Sequence, residues 1–388
     1  MNALDALSAQ PLSCVFEDRD GQIALLTEAA MTRNPATDRR GKLGFAPAVP
    51  DLNPKLSYDM LRKSYAAEIE RRLQDRFTAT GLVRRIEEYH INVGGKRLRA
   101  LLPVWVCVNL GHTPDMAVEL GVGLELLHNA TLVHDDLQDG DTLRRGQPTV
   151  WRRWGEAMAI NAGDALIFEA FACITRVSAG ADLVGPAAAA CLRLCEGQAM
   201  ELQLQLPHKS PEALPATLEV WGEMARAKTG ALFGLCLRAG SVAAGRSDAF
   251  SEAAARYGEE LGLLFQVQDD LLDLVGDKGR GRLGSDLMEG KCSFPVALAY
   301  ASSTRDGMVP VRALLERPRE ERSWAMVDEA LEALARCGAL RATASWLQRS
   351  ASAAIRHPLA VLLPGFVEQI LAPVRHALGA MDEDAVAL

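Results

Sequence analysis

Two short stretches, LVHDDLQD at 132–139 and QVQDDLLD at 266–273, place their aspartates at one shared spacing, i, i+1 and i+4. No other feature of the chain restricts its fold as much. Residues four apart project from one face of a helix, so Asp135 pairs with Asp139 and Asp269 with Asp273. Asp136 and Asp270 lie about 100° further round. The runs before them, LELLHNATLVH (124–134) and LGLLFQV (261–267), are too apolar for surface helices. Each cluster therefore ends a buried helix, where carboxylates repel each other and resist ionisation unless a cation neutralises them. One such cluster reads as a solvated helix end. Two with identical spacing point to two long helices facing one cavity.

The rest of the chain supports an all-α class. From about Leu56, apolar residues recur at helical intervals with charge between them, as in SYDMLRKSYAAEIERRLQDRF. The same pattern predicts helices over 97–110, 115–139, 156–178, 182–206, 215–245, 248–275, 290–302, 309–316, 324–337, 340–354 and 363–378. Alternation of β-branched residues is almost absent. Gly and Pro punctuate the gaps, and the short connections favour antiparallel neighbours in one large bundle. Residues 1–50 differ. The stretch MTRNPATDRRGKLGFAPAVPDLNP, which starts there and runs to Pro54, has no clean period. The expectation is a loosely ordered extension over 1–50, with one short helix near 23–31, and a folded domain over 51–388.

Composition narrows the function. A net charge of −8 and a pI of about 5.5 argue against a nucleic-acid partner. No apolar run reaches the roughly 18 residues a membrane span needs. The best, 157–174, is interrupted by Asn161, Asp164 and Glu169. Met1–Arg19 lacks the basic-then-apolar order of a secretory signal, so a cytoplasmic protein is expected. The eight cysteines form no CxxC pair, and Cys191 and Cys195 have no His at zinc spacing. They read as free thiols.

Oxygen-only ligands suit Mg²⁺, which keeps waters and recruits substrate phosphates. Two clusters thus suggest a polyphosphate bridged by several metals. The cations fit that reading. Lys96, Arg97 and Arg99 follow two glycines in VGGKRLRALLP, Arg144 and Arg145 lie just beyond the first cluster, and Lys228 and Thr229 interrupt an apolar helix. Arg forks match phosphate oxygens, and glycine allows close backbone approach. The spacing is not that of a P-loop.

In this order, GGKRLR, LLHNATLVHDDLQD, RRGQPT, AINAGDAL, EGQAMEL, KTGALF, FQVQDDLLDLVGD and SDLMEGKCSFP resemble the trans-isoprenyl diphosphate synthases, or polyprenyl synthetases, of geranylgeranyl diphosphate synthase-like type. The resemblance runs from about Tyr58 to Leu378. It implies a single helical domain around a central cavity (the isoprenoid synthase fold), a homodimer, and Mg²⁺, three per active site with Mn²⁺ as a substitute. By resemblance, Asp135, Asp139 and Asp269 ligate the metals, while Asp136, Asp270 and Asp273 act through waters or supporting bonds. Arg144 and Lys228 hold an allylic diphosphate (dimethylallyl, geranyl or farnesyl). Lys96, Arg99, His128 and Arg145 hold isopentenyl diphosphate. Thr229 and Gln266 flank the reacting carbons, and Lys291 faces the diphosphate near the second cluster.

The chain departs from the family pattern twice. Ala100 stands where the family commonly has Pro, and Arg282 replaces a common Lys; Arg282 keeps a diphosphate role by charge alone. The growing product should run down the helix behind Asp135, past Ala130 and Thr131 to Leu127. Small residues there imply a tube too deep for a C15 product. C20 is expected first, with C25 or longer as the alternative. A terpene cyclase shares the fold, but its second motif normally carries Asn, Ser/Thr and Glu. A non-catalytic regulatory subunit typically loses one cluster, and both are intact here.

Overall fold

The computed structural model describes residues 56–206, 210–276, 282–302 and 306–380, together with the backbone of a two-residue antiparallel pair, β1 (Phe16–Glu17) and β2 (Ile23–Ala24). The remainder of the 1–50 extension lies outside the described residues. So does most of the helix expected near 23–31, whose first two residues form β2 instead.

The domain is helical throughout apart from one hairpin. In chain order it runs α1 (Tyr58–Asp75), α2 (Gly81–Asn92), α3 (Leu98–Asn109) and α4 (Asp115–Gln138). The hairpin β3 (Leu143–Arg144) and β4 (Gln147–Pro148) follows. Then come α5 (Val150–Trp154), α6 (Glu156–Arg176), α7 (Gly180–Leu204) and α8 (Leu218–Ala225). A π-turn, Arg226–Gly230, leads into α9 (Ala231–Ala243) and α10 (Asp248–Val275). The chain ends with α11 (Ser285–Glu289), α12 (Phe294–Ser302), α13 (Val309–Leu315), α14 (Trp324–Arg336), α15 (Ala339–Arg356) and α16 (Phe366–Ala380).

Helix α4 is apolar almost all round from Ala117 to Leu127, and such a helix belongs at the centre of a bundle. It packs on α3, α6 and α9, and α9 in turn packs on α10. Glycines set the closest approaches. A Cβ at Gly121 would strike the Ala100 carbonyl of α3, and one at Gly123 would lie 3.0 Å from the Ala170 carbonyl of α6. Side-chain caps start three helices. Thr217, Ser247 and Ser323 accept hydrogen bonds from the N–H groups of Val220, Phe250 and Met326.

Helices α4 and α6 are long and apolar enough to cross a membrane by length and composition alone, although no uninterrupted run had suggested it. For α4 the apolarity is used inside the bundle, with 78% of the window buried; for α6 the share is 44%. Ile160 and Phe168 of α6 and Leu192 of α7 stand exposed. Among the described cysteines, Cys107, Cys173, Cys236 and Cys292 are free and buried; Cys191 and Cys195 are free but not part of the sealed core.

Candidate active site

Both aspartate clusters open on one cavity of about 910 Å³. Asp135 and Asp139 reach it from the end of α4, Asp269 and Asp270 from α10, and Lys228 and Thr229 from the π-turn between them. Lys96, Arg99, His128, Arg144, Arg145, Gln266 and Lys291 line it as well. Helical rotation explains the arrangement on α4. Relative to Asp135, His128 lies about 20° round the axis and Asp139 about 40°, so all three share a stripe.

Two lysines hold the carboxylates apart. Lys228 Nζ donates to Glu201 Oε2 at 2.5 Å and lies 3.9 Å from Asp135. Lys291 Nζ donates to Asp139 Oδ2 at 2.8 Å and sits 2.9 Å from Glu289. Burial disfavours both ammonium ions. The surrounding carboxylates more than offset this, so both lysines titrate above their ordinary range. Asp135 moves the other way: burial first, then the charges of Glu201 and Asp139, push it up to about 6 despite Lys228.

The remaining aspartates are already engaged. Asp136 is 1% exposed and takes a two-pronged bond from Arg144, with Nε at 2.9 Å and Nη2 at 2.6 Å from Oδ1. Asp273 is 2% exposed and accepts from Ser285 Oγ at 2.5 Å and the Asp286 N–H at 2.9 Å. Neither lines the cavity. Asp270 does, but it accepts from the Phe294 N–H and from Gln266 Nε2. Gln266 Oε1 accepts in turn from Thr229 Oγ at 2.7 Å.

Also on the cavity lining, Arg99 lies over the rings of Phe233 and Phe265, at 5.0 and 5.6 Å. Its buried Nε has no hydrogen-bond partner. Desolvation lowers its pKa, and the imidazole of His128 beside it is held well below its usual range by burial and then by Arg99. His128 is therefore neutral at physiological pH. Arg97 is absent from this lining. Its guanidinium is buried on Glu70 and the Ile91 carbonyl, and its φ of 52° is left-handed. Ala100 also has a local reason: its N–H donates to Glu125 Oε2 at 3.2 Å, a bond Pro would forgo.

A second, mostly apolar cavity of about 240 Å³ runs from Asp135 between α4, α6, α7 and α9. Leu127 and Thr131 line it with Ile167, Cys191, Leu194 and Leu232. Ala130 does not. It lies about 140° round the axis from Asp135 and is fully buried elsewhere. Arg282 is likewise away from the site, bonded to Asp328 at 3.0 Å and stacked 4.7 Å over Trp324.

Sequence reasoning left Glu201 and Glu289 unassigned, although Glu201 lies in the quoted EGQAMEL and Glu289 is two residues before Lys291. It also could not see the π-turn. A Cβ at Gly197 of α7 would lie 2.8 Å from Lys228 Cα, so glycine there is what lets α7 seat against the turn.

Known proteins share the sequence pattern and the fold. Residues 81–334 match the family model described as Polyprenyl synthetase. A short chain isoprenyl diphosphate synthase of Methanothermobacter thermautotrophicus is 34% identical over 72% of this chain and 85% of its own. A nonaprenyl diphosphate synthase of Mycobacterium tuberculosis is 34% identical over 75% of this chain and 82% of its own. The crystal structure of a geranylgeranyl pyrophosphate synthetase from Pyrococcus horikoshii superposes with a TM-score of 0.70 at 28% identity, over 84% of this chain and 99% of that one. With family model, sequence and fold in agreement, the chain belongs to the polyprenyl synthetase family.

Proposed function

We propose that this protein is a trans-prenyltransferase that joins isopentenyl diphosphate to an allylic diphosphate head to tail. One observation supports the reading: a single cavity is lined both by carboxylates with lysines and by a further group of cations. The aspartates, with Lys228 and Lys291, suit a diphosphate brought in with cations. The group of Lys96, Arg99, His128 and Arg145 has no acidic residue of its own and suits a second diphosphate bound directly.

The donor set fits Mg²⁺. Its cavity-facing atoms are carboxylate oxygens, and Asp139 Oδ1 is buried with no hydrogen-bond partner. Among the described residues no three His, Cys, Asp or Glu groups converge to hold a metal on their own, so such ions would need water and substrate phosphate as further ligands. Asp135, Asp139 and Asp269 would hold such ions; Asp136, Asp270 and Asp273 act through the helix ends they fasten. Bound Mg²⁺ supplies countercharge to the diphosphate as its allylic C–O bond ionises.

The protein's own groups do the rest. Lys228 and Lys291 stabilise the charge that grows on the departing diphosphate. Thr229 donates its proton to Gln266, which leaves lone pairs of its hydroxyl for the allylic cation. Neutral His128 and Arg99 orient isopentenyl diphosphate so that its alkene attacks that cation. A proton then leaves, and the diphosphate product is the nearest base. The apolar tube beyond Asp135 receives the chain and excludes water that would quench the cation. The small Thr131 on its wall, with Leu127 beyond it along α4, supports C20 as the main product, with C25 or longer as the second reading. The exposed apolar residues of α6 and α7 suit a second copy of this chain, giving a homodimer.

The test is a product assay with Mg²⁺, isopentenyl diphosphate and each of dimethylallyl, geranyl and farnesyl diphosphate. A dominant C20 alcohol after dephosphorylation is expected. A longer ladder would select the second reading, and absence of elongation would overturn the assignment.

A further inference from the structure

The connection between α13 and α14 touches both edges of the diphosphate cavity, and nothing in the motifs points to it. Its 3₁₀ turn, Arg319–Glu321, places two arginines three residues apart. Arg319 Nη1 donates to the carbonyl of Asp139, just past the last turn of α4, and its Nη2 is 3.9 Å from Asp141. Arg322 Nη1 donates to the Met288 carbonyl at 3.1 Å, and its Nε is anchored on the Arg317 carbonyl at 3.1 Å.

Both turns are built alike beneath these cations. Gly140 has a φ of +67° and Gly290 one of +89°. A Cβ at Gly140 would lie 3.1 Å from Arg319 Nη1, and one at Gly290 would overlap the Arg322 guanidinium. Each arginine therefore covers the open face of a left-handed glycine. Lys291, next to the second turn, bonds Asp139, next to the first, at 2.8 Å. The contacts close a ring from Asp139 through Arg319, Arg322 and the 288–290 turn to Lys291 and back.

The Lys291–Asp139 link faces the cavity, where a diphosphate with its cations would compete for both groups. The arginine side of the ring lies outside the cavity and stays closed. We propose that Arg319 and Arg322 clasp the two edges of the site, so that Asp139 and Lys291 keep a working separation once ligand has parted them. Both are positioning residues: Arg319 acts through Asp139, and Arg322 through Lys291. This rests on the prenyltransferase reading only for its kinetic consequence.

Hydrogen exchange and kinetics test it together on the full chain. In Arg319→Ala, exchange over 138–142 and 288–292 should rise about fivefold with inorganic pyrophosphate and Mg²⁺ present. The apparent Mg²⁺ and allylic-diphosphate requirements should rise about tenfold, the KM for isopentenyl diphosphate should change less than about twofold, and Arg319→Lys should restore part of the loss. Arg322→Ala should loosen 288–292 in the same way. Unchanged exchange in both segments overturns the clasp whatever the activity does. Equal rises in every KM with exchange raised across the whole domain also overturn it, since that is general destabilisation. If the wild type binds pyrophosphate but elongates nothing, the prenyltransferase reading fails, and the exchange result still decides the clasp.

Discussion

Gly197→Ala adds one methyl group where α7 crosses the π-turn. The new Cβ would sit 2.8 Å from Lys228 Cα and 2.9 Å from the Ala227 carbonyl carbon. Ordinary carbon contacts fall near 3.5–4.0 Å, so a separation of roughly 0.7–1 Å must be gained. These are backbone atoms and cannot rotate away, so α7 or the turn has to shift. Overpacking of this size costs about 1–3 kcal/mol, which lowers Tm by about 1–5 °C for a domain this large. The functional effect should exceed the loss of stability. Lys228 rides on the displaced turn, between Glu201 and Asp135, and misplacing a charge by about 1 Å can cost about 10²-fold in kcat. The control is on the same helix. Gly185 meets nothing within 4 Å beyond its chain neighbours, so Gly185→Ala should be near neutral, the helix preference of alanine offset by its place before Pro186. Thermal denaturation and a prenyl-transfer assay on both variants suffice. Equal Tm and activity in the two alanine variants would refute the close-approach argument.

Asp135→Ala or Asp269→Ala should cut turnover by about 10²–10³-fold or more while circular dichroism stays helical; near-normal turnover in either would remove it from the metal wall. Thr131→Phe should shorten the product sized by mass spectrometry, whereas Ala130→Phe, packed away from the tube, should lower Tm by overpacking its buried site. Arg282→Ala should leave both substrate KM values within about twofold, because its guanidinium is spent on Asp328 and Trp324. Glu87 is buried with neither carboxyl oxygen hydrogen-bonded, and burial, then the charge of Glu169, raises it to about 7. Its folded pKa lies above the unfolded one, so the unfolded chain gives up the proton first, and this contribution to stability falls as pH rises from about 4.5 to 7. Glu87→Gln should remove that slope in urea titrations and gain on the order of 1–2 kcal/mol above pH 7 once solvent screening is allowed for; parallel pH profiles would contradict it.

The fold class was legible because periodicity of 3.6 residues is a local property and nearly every core helix carries it. Breaks that depend on backbone detail were not. The predicted segment 215–245 contains the π-turn, whose extra backbone width is set by Gly197 of α7 and by Gly262 of α10, where a Cβ would lie 2.7 Å from Gly230 Cα. Helix α2, from Gly81 to Asn92, escaped the periodicity reading, as did the hairpin that carries Arg144. Ala130 was placed on the tube from its distance along the chain behind Asp135. Angle round the helix decides instead, and it favours Thr131 and Leu127.

The spacing of the aspartates announced the site, but not the division of labour among them. That depends on partners far away in sequence. Arg144 takes Asp136 across the hairpin, Ser285 and the Asp286 N–H take Asp273 across the turn after α10, and the Phe294 N–H takes Asp270 at the start of α12. Each of these bonds fixes the end of an aspartate helix to the next element of the cavity wall. A carboxylate that accepts two or three such bonds needs no metal ion to remain charged. Asp135 is different. It is half-buried and raised to about 6, and the Lys228 ammonium beside it is 3.9 Å away. Asp139 keeps one buried oxygen without a partner. The fold thus satisfies Asp136, Asp270 and Asp273 and leaves Asp135 and one oxygen of Asp139 short of partners at the cavity. That imbalance at the end of α4, rather than the number of aspartates, is what the proposed cation-laden diphosphate would relieve.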